Sequence, residues 1–116
     1  MSITRIEVGP RMSQAVVHGN TVYLAGQVAA KPEGASVSDQ TAQILAQIDA
    51  LLAQAGSDKT KLLSATIYLA DISTFAEMNA QWDAWISAGN TPARATVEAK
   101  LAARVYTVEI AVIAAI

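Results

Sequence analysis

Two hydrophobic periodicities alternate along this chain, and each demands a partner layer. In residues 61–70 (KLLSATIYLA), Leu63, Ala65, Ile67 and Leu69 fall on one face at every second position, a strand pattern. From Ser38 to Ala55, Ile44, Leu45, Ile48, Leu51, Leu52 and Ala55 recur at helical spacing, and Gly56 stands where a glycine closes a helix. A strand must cover one face and a helix one stripe, so interleaving the two patterns predicts a sheet with helices packed on it.

The other segments extend that reading. Residues 14–18 and 21–28 are predicted strands joined by a tight turn at Gly19-Asn20, both of which tolerate positive φ. Lys31-Pro32-Glu33-Gly34 breaks the chain. Asp71 to Ala88 is the second predicted helix, with Thr74 and Glu77 spaced as a capping box and Phe75, Met78, Trp82 and Trp85 as its buried stripe. Residues 94–101 alternate again, setting Ala95, Val97, Ala99 and Leu101 against Arg94, Thr96, Glu98 and Lys100. A last strand covers 105–115. With residues 3–8 as a first strand the order is β-β-β-α-β-α-β-β, an α+β fold with two helices on one face of a mixed sheet. The 116 residues form a single domain, 1–116, with no internal repeat or linker.

Hydrophobic residues make up 53% of the chain but aromatics only 5%, so the core is built of small side chains. Such a core buries less area per residue, and association is an economical way to bury more. The formal charge is −2 and the eight basic residues are scattered, which disfavours a nucleic-acid partner. Absence of cysteine rules out disulfides, thiolate catalysis and cysteine-based metal sites. The N-terminal stretch lacks an apolar run of the secretory kind, and no apolar stretch is long enough to span a bilayer, so the expectation is a cytoplasmic protein without membrane partners.

Few residues are left to carry chemistry. His18, the one histidine, lies beside the hairpin turn, where a surface polar residue is expected, and a metal site is not anticipated. No GxSxG elbow, GxGxxG fingerprint or P-loop is present. Arg94 follows Pro92-Ala93 at a strand start, a place where ligand contacts are common, and its guanidinium matches a carboxylate with paired hydrogen bonds. The same position also suits a solvated strand-edge arginine. Glu109 is odder, because Val108-Glu109-Ile110-Ala111-Val112-Ile113 is apolar on both faces and belongs to a strand covered on both sides. A carboxylate there needs a partner or a task, unless it lies at an exposed rim. Asn79 sits at the margin of the second helix's apolar stripe, where a plain surface amide is equally at home.

Several segments carry a resemblance: Gly9-Pro10, Ser13-Gln14-Ala15-Val16, the run His18 to Gln27, Asn79, Pro92-Ala93-Arg94-Ala95-Thr96-Val97-Glu98 and Val108-Glu109-Ile110. In this order, across nearly the whole chain, they resemble the Rid (YjgF-type) superfamily of reactive-intermediate imine/enamine deaminases. The resemblance implies a chorismate-mutase-like α+β fold in a barrel-shaped homotrimer, with sites in the clefts between subunits. It implies that Arg94 clamps a substrate carboxylate, that the Gly26 amide helps hold it, that Glu109 positions water and shuttles protons, and that Asn79 lines the pocket. The implied activity is hydrolysis of 2-aminoacrylate-like imino acids to 2-keto acids and ammonia, with no cofactor.

The chain departs from the family pattern in places. Met12 stands where many of these deaminases carry a tyrosine, Ala95-Thr96 replaces a cysteine-bearing stretch, and Ala111 replaces a second acid. Loss of the phenol removes a polar handle from the ligand site. It leaves room for an alternative, a non-catalytic protein that binds a small 2-keto acid or related carboxylate in the same cleft.

Overall fold

A computed structural model describes all 116 residues. Strands β1 (Ile3–Val8), β2 (Ser13–His18) and β3 (Thr21–Leu24) form an antiparallel meander. Helix α1 (Val37–Gln54), strand β4 (Leu62–Leu69), helix α2 (Phe75–Trp85) and strands β5 (Ala93–Glu98) and β6 (Val108–Ala115) follow, the element order read from periodicity. The six strands lie in the order β1-β2-β3-β6-β4-β5, so the last strand inserts between β3 and β4 and runs antiparallel to both. β5 is parallel to β4. A parallel neighbour is reached only by a crossover, and α2 is that crossover, which lays its residues over β5.

The hairpin closes at His18↔Thr21 with Gly19 at φ 62. Asn20 keeps an ordinary negative φ, so positive φ is needed only at the glycine. Helix α1 starts at Ser36, whose hydroxyl accepts from the Asp39 amide at 3.0 Å. It stops at Gly56, φ 81, where the Gly56 amide donates to Ala53 O and the Ser57 amide to Leu52 O. That pairing satisfies the carbonyls a helix end leaves over.

One hydrophobic cluster joins the layers: Ile44, Ile48 and Leu52 of α1, Met78 and Trp82 of α2, Ile67 and Leu69 of β4, and Val108, Ile110 and Val112 of β6. The two helices therefore share one face of the sheet. The α2 stripe is narrower than its spacing suggests, because α2 ends at Trp85 rather than Ala88; Phe75 stays 38% exposed and Trp85 half-buried.

Several sequence expectations are corrected by tertiary pairing. The β4 ladder shifts register between Leu62 and Ser64, which turns Leu62 into the core and leaves Leu63 51% exposed. Alternation proceeds as read from Ala65 onward. Strand β3 ends at Leu24 instead of reaching 28: the Ala25 amide still donates to Gln14 O of β2, but pairing with β6 lapses after Tyr23↔Ile113. The chain rejoins β6 only at Gln27, which exchanges two backbone hydrogen bonds with Ile110. The steps Tyr23↔Ile113 and Gln27↔Ile110 span 27 − 23 = 4 positions on one side and 113 − 110 = 3 on the other, so one extra residue bulges out beside Gly26. The strands at 94–101 and 105–115 are shorter than read, ending at Glu98 and starting at Val108.

The capping box fails for a different reason. Thr74 makes no side-chain cap to α2 and donates its hydroxyl to Asp71 O instead. Glu77 reaches across to α1, where its carboxylate accepts from the Ser38 amide at 2.9 Å. A residue spaced to cap its own helix caps its neighbour.

Within the chain β6 is covered on one side only. Val108, Ile110, Val112 and Ala114 enter the core, whereas Glu109, Ala111, Ile113 and Ala115 sit half-buried on the other face. On that same face Tyr23 of β3 is 46% and Val97 of β5 is 42% exposed. No helix is long and apolar enough to cross a membrane.

Candidate functional site

The candidate residues fall into two groups. The first is built on the β4–α2–β5 crossover. Parallel pairing sets Arg94 beside Ala65 and Thr96 beside Ile67, both core residues, so Arg94 and Thr96 point to the helix side. Above them, Phe75, Asn79 and Trp82 are spaced four and three residues apart on α2 and share one helix face. Arg94 Nη1 donates to Asn79 Oδ1 at 2.8 Å. The guanidinium carbon lies 5.2 Å from the Trp82 ring centroid and 5.7 Å from that of Phe75. Each such contact contributes about 0.5–1 kcal/mol at an exposed site. A long, flexible side chain is thus held by an amide and two rings, while the residue stays exposed and most of its N–H donors remain available. Two residues along the same face, the Thr96 hydroxyl is buried without a partner.

The second group gathers around Gly26, at the bulge. A Cβ on Gly26 would lie 2.2 Å from Oε2 of Glu109 and 2.9 Å from its Cδ, so the half-buried Glu109 carboxylate occupies the space a side chain would need. Only glycine leaves the carboxylate there. Gly26 also borders a cavity of about 440 Å³ between the β1–β2 hairpin and α1, lined as well by Met12, Glu7, Gln14, Gln47 and Leu51. Met12 is 49% exposed, with its thioether side chain free at the mouth.

Side-chain amides fix this wall. After its bridge to β6 at Gln27, the segment lacks strand partners for its backbone, and α1 supplies them. Gln47 Nε2 donates to Val28 O at 2.9 Å and to Gln27 Oε1 at 3.3 Å, while its own oxygen accepts from the Ala30 amide. One turn earlier, Gln43 makes the same two-way bond with the Lys31 backbone. The buried Gln27 passes the connection on, donating to Gln14 Oε1 at 2.9 Å.

The two groups do not meet within the chain. Arg94 faces the helices, on an edge strand beside Ala65. Glu109 pairs with Tyr68, further along β4, and projects from the opposite face of the sheet. The structure thus brings Asn79 to Arg94, and Gly26 to both Glu109 and Met12, but leaves the halves apart. His18 is exposed at the far end of β2, beside Ile3 and away from both. Nowhere do three or more His, Asp or Glu side chains converge as metal ligands would.

Sequence reasoning missed five contributors. Phe75 and Trp82 were legible only as core, although their helical phase with Asn79 signals one shared face. The Gln43–Gln47 pair carries the same i, i+4 signal on α1. Glu7 gave none, since its place in the cavity follows from a backbone angle rather than from any pattern.

Known proteins agree with this architecture. Residues 2–116 match the family model described as Endoribonuclease L-PSP. The chain is 48% identical over 118 residues to the RutC family protein YoaB of Escherichia coli K12, covering 100% of both. A crystal structure of a YjgF protein family member from Neisseria meningitidis superposes with a TM-score of 0.96 at 48% identity, over 99% of this chain and 95% of that one. A protein of unknown function of the conserved Rid family, YyfA from Yersinia pestis, superposes with a TM-score of 0.89 at 32% identity, over 99% and 100%.

Proposed function

The chain belongs to the Endoribonuclease L-PSP family, that of the YjgF and Rid proteins, and on that premise we propose that it hydrolyses small 2-imino acids to 2-keto acids and ammonia. The observation that carries this reading is Arg94, held from one side by Asn79, Trp82 and Phe75 and exposed on the other. An arginine fixed in that way is a preorganised carboxylate clamp.

The chemistry needed is light. The C=N carbon of an imino acid is already electrophilic. Glu109 takes a proton from water as the water oxygen bonds to that carbon, and returns a proton to the nitrogen. Glu109 then passes the remaining hydroxyl proton to the nitrogen as the C–N bond breaks, so ammonia departs and the C=O double bond remains. No electrons change hands, so the step needs no redox cofactor.

Because the clamp and the acid–base group lie on opposite faces of one sheet, the site is completed between copies of the chain, Arg94 from one and Glu109 with Gly26 from the next. A homotrimer closed through the half-bare sheet face, where Ala111, Ile113 and Val97 lie, would bring them together. The family description names an endoribonuclease, but a polyanion calls for clustered cations, and the scattered basic residues of an acidic chain favour a small ligand.

The test is ammonia and 2-keto acid release from imino acids generated in situ by an amino-acid oxidase. Acceleration by the wild type, lost by about a hundredfold or more in Arg94→Ala with the assembly intact, is the expected result. A wild-type rate equal to the enzyme-free rate for aliphatic, aromatic and acidic substrates would sink it. A second reading, binding of a 2-keto acid without turnover, is favoured by Met12, which puts a thioether where a phenol would offer a proton. Saturable binding with no ammonia release would select it.

A further inference from the structure

Resting on that reading of the site, we propose that Glu7 selects the ligand by charge, favouring 2-imino or 2-keto acids whose side chain ends in a cation and disfavouring those ending in a second carboxylate. Glu7 lines the cavity that Gly26 and Met12 share, and every other lining side chain is uncharged. The cavity thus carries a negative charge, and no Lys or Arg of the same protomer lines it to neutralise that charge.

Glu7 is placed there at a cost. It is the one residue besides glycine with positive φ, 51°, and it interrupts the β1–β2 ladder between the pairs Ile6↔Ala15 and Val8↔Ser13. A bulky side chain in that region is strained, and strain of this kind persists only where surrounding contacts hold it. Here Gln54, at the end of α1, donates to Glu7 Oε2 at 2.7 Å, which fixes the carboxylate over the cavity.

Charge counting gives the same answer. Counting Glu7 with the proposed site, which adjoins its cavity at Gly26, Glu7 and Glu109 contribute two negative charges and Arg94 one positive. A ligand carboxylate on Arg94 adds another negative charge, and a distal carboxylate would add one more beside Glu7. A distal guanidinium or ammonium instead offsets it. The effect is that of a partly exposed pair, modest and reduced by salt.

The experiment measures calorimetric binding of three 2-keto acids of similar length, ending in guanidinium (2-oxo-5-guanidinovalerate), methyl (2-oxohexanoate) and carboxylate (2-oxoadipate), to wild type and Glu7→Gln. Glutamine keeps an acceptor for Gln54 and removes only the charge. Wild type should favour the guanidinium ligand over the carboxylate ligand by about tenfold, with Glu7→Gln cutting the ratio to about twofold. The wild-type ratio should also shrink at high salt. Equal binding of the charged ligands, or a ratio untouched in Glu7→Gln, overturns charge selection while leaving the site in place. The methyl ligand separates the two ideas, because its binding tests Arg94 alone; if no ligand binds, the site reading falls and charge selection falls with it.

Discussion

Thr96 poses the plainest energetic question among the single residues. Its hydroxyl is buried two positions from Arg94 with nothing to bond, and an unsatisfied polar group in such a place costs about 1–3 kcal/mol. Thr96→Val, which removes the hydroxyl at nearly constant shape, should therefore raise protomer stability by about 1 kcal/mol in urea unfolding. Gly26 poses the opposite case. The first atom an added methyl would strike is the far end of a side chain that can swing, so Gly26→Ala should unfold at nearly the wild-type denaturant concentration. Displacing the Glu109 carboxylate should nevertheless cost the proposed imine hydrolysis at least tenfold in kcat/KM, since acid–base help of the kind proposed for Glu109 is worth about a hundredfold or more. A large loss of stability would show instead that backbone, not Glu109, fills that space. In the sequence Arg94 stands out by its place at a strand start and Glu109 by interrupting an apolar run. Their separation onto opposite faces is not legible there, since it depends on which strands become neighbours.

Elements show the same division between local and tertiary signals. The stripe of α1 and its stop at Gly56 are readable because both are set within a few residues of sequence. Gly56→Ala should cost about 1 kcal/mol, the penalty for a Cβ at φ 81, measurable as a lowered urea midpoint. The Thr74–Glu77 spacing is equally local and misleads, because Glu77 serves the neighbouring helix. Glu77→Ala should loosen the start of α1, costing about 1 kcal/mol and speeding amide exchange at Ser38, while α2 keeps its ends. Leading into α2, the Asp71 carboxyl is held below its ordinary value by hydrogen bonds from the Ser73 hydroxyl and amide, and Asp58 likewise by the Thr60 hydroxyl and amide. A depressed pKa means that the folded state favours the charged form. Those turns are therefore intact above the ordinary carboxylate range, near pH 4, and their contribution fades as pH falls through the lowered values. Acid titration should reduce stability in that window, and less so in Asp71→Asn.

For the whole molecule, the sheet face without helices decides what the chain becomes. An apolar run with one carboxylate was read as a strand covered on both sides, yet the protomer supplies one cover only. In the proposed homotrimer the second cover comes from a neighbouring copy, which is why sequence periodicity could announce the need without showing what meets it. Ile113→Glu would put a charge in the middle of that face and should shift the proposed trimer towards monomer in sedimentation, with the proposed activity lost in parallel. If the assembly survives, its contacts lie elsewhere. For the proposed intersubunit site, the opposed placement of Arg94 and Glu109 also has a genetic corollary. Arg94→Ala and Glu109→Ala would each be null alleles, yet a cell carrying both would make mixed assemblies in which one intact arginine meets one intact glutamate. With random association, roughly a quarter of the junctions between subunits would be whole. Two defective copies of this gene would then complement each other, which no pair of lesions on one shared face could do.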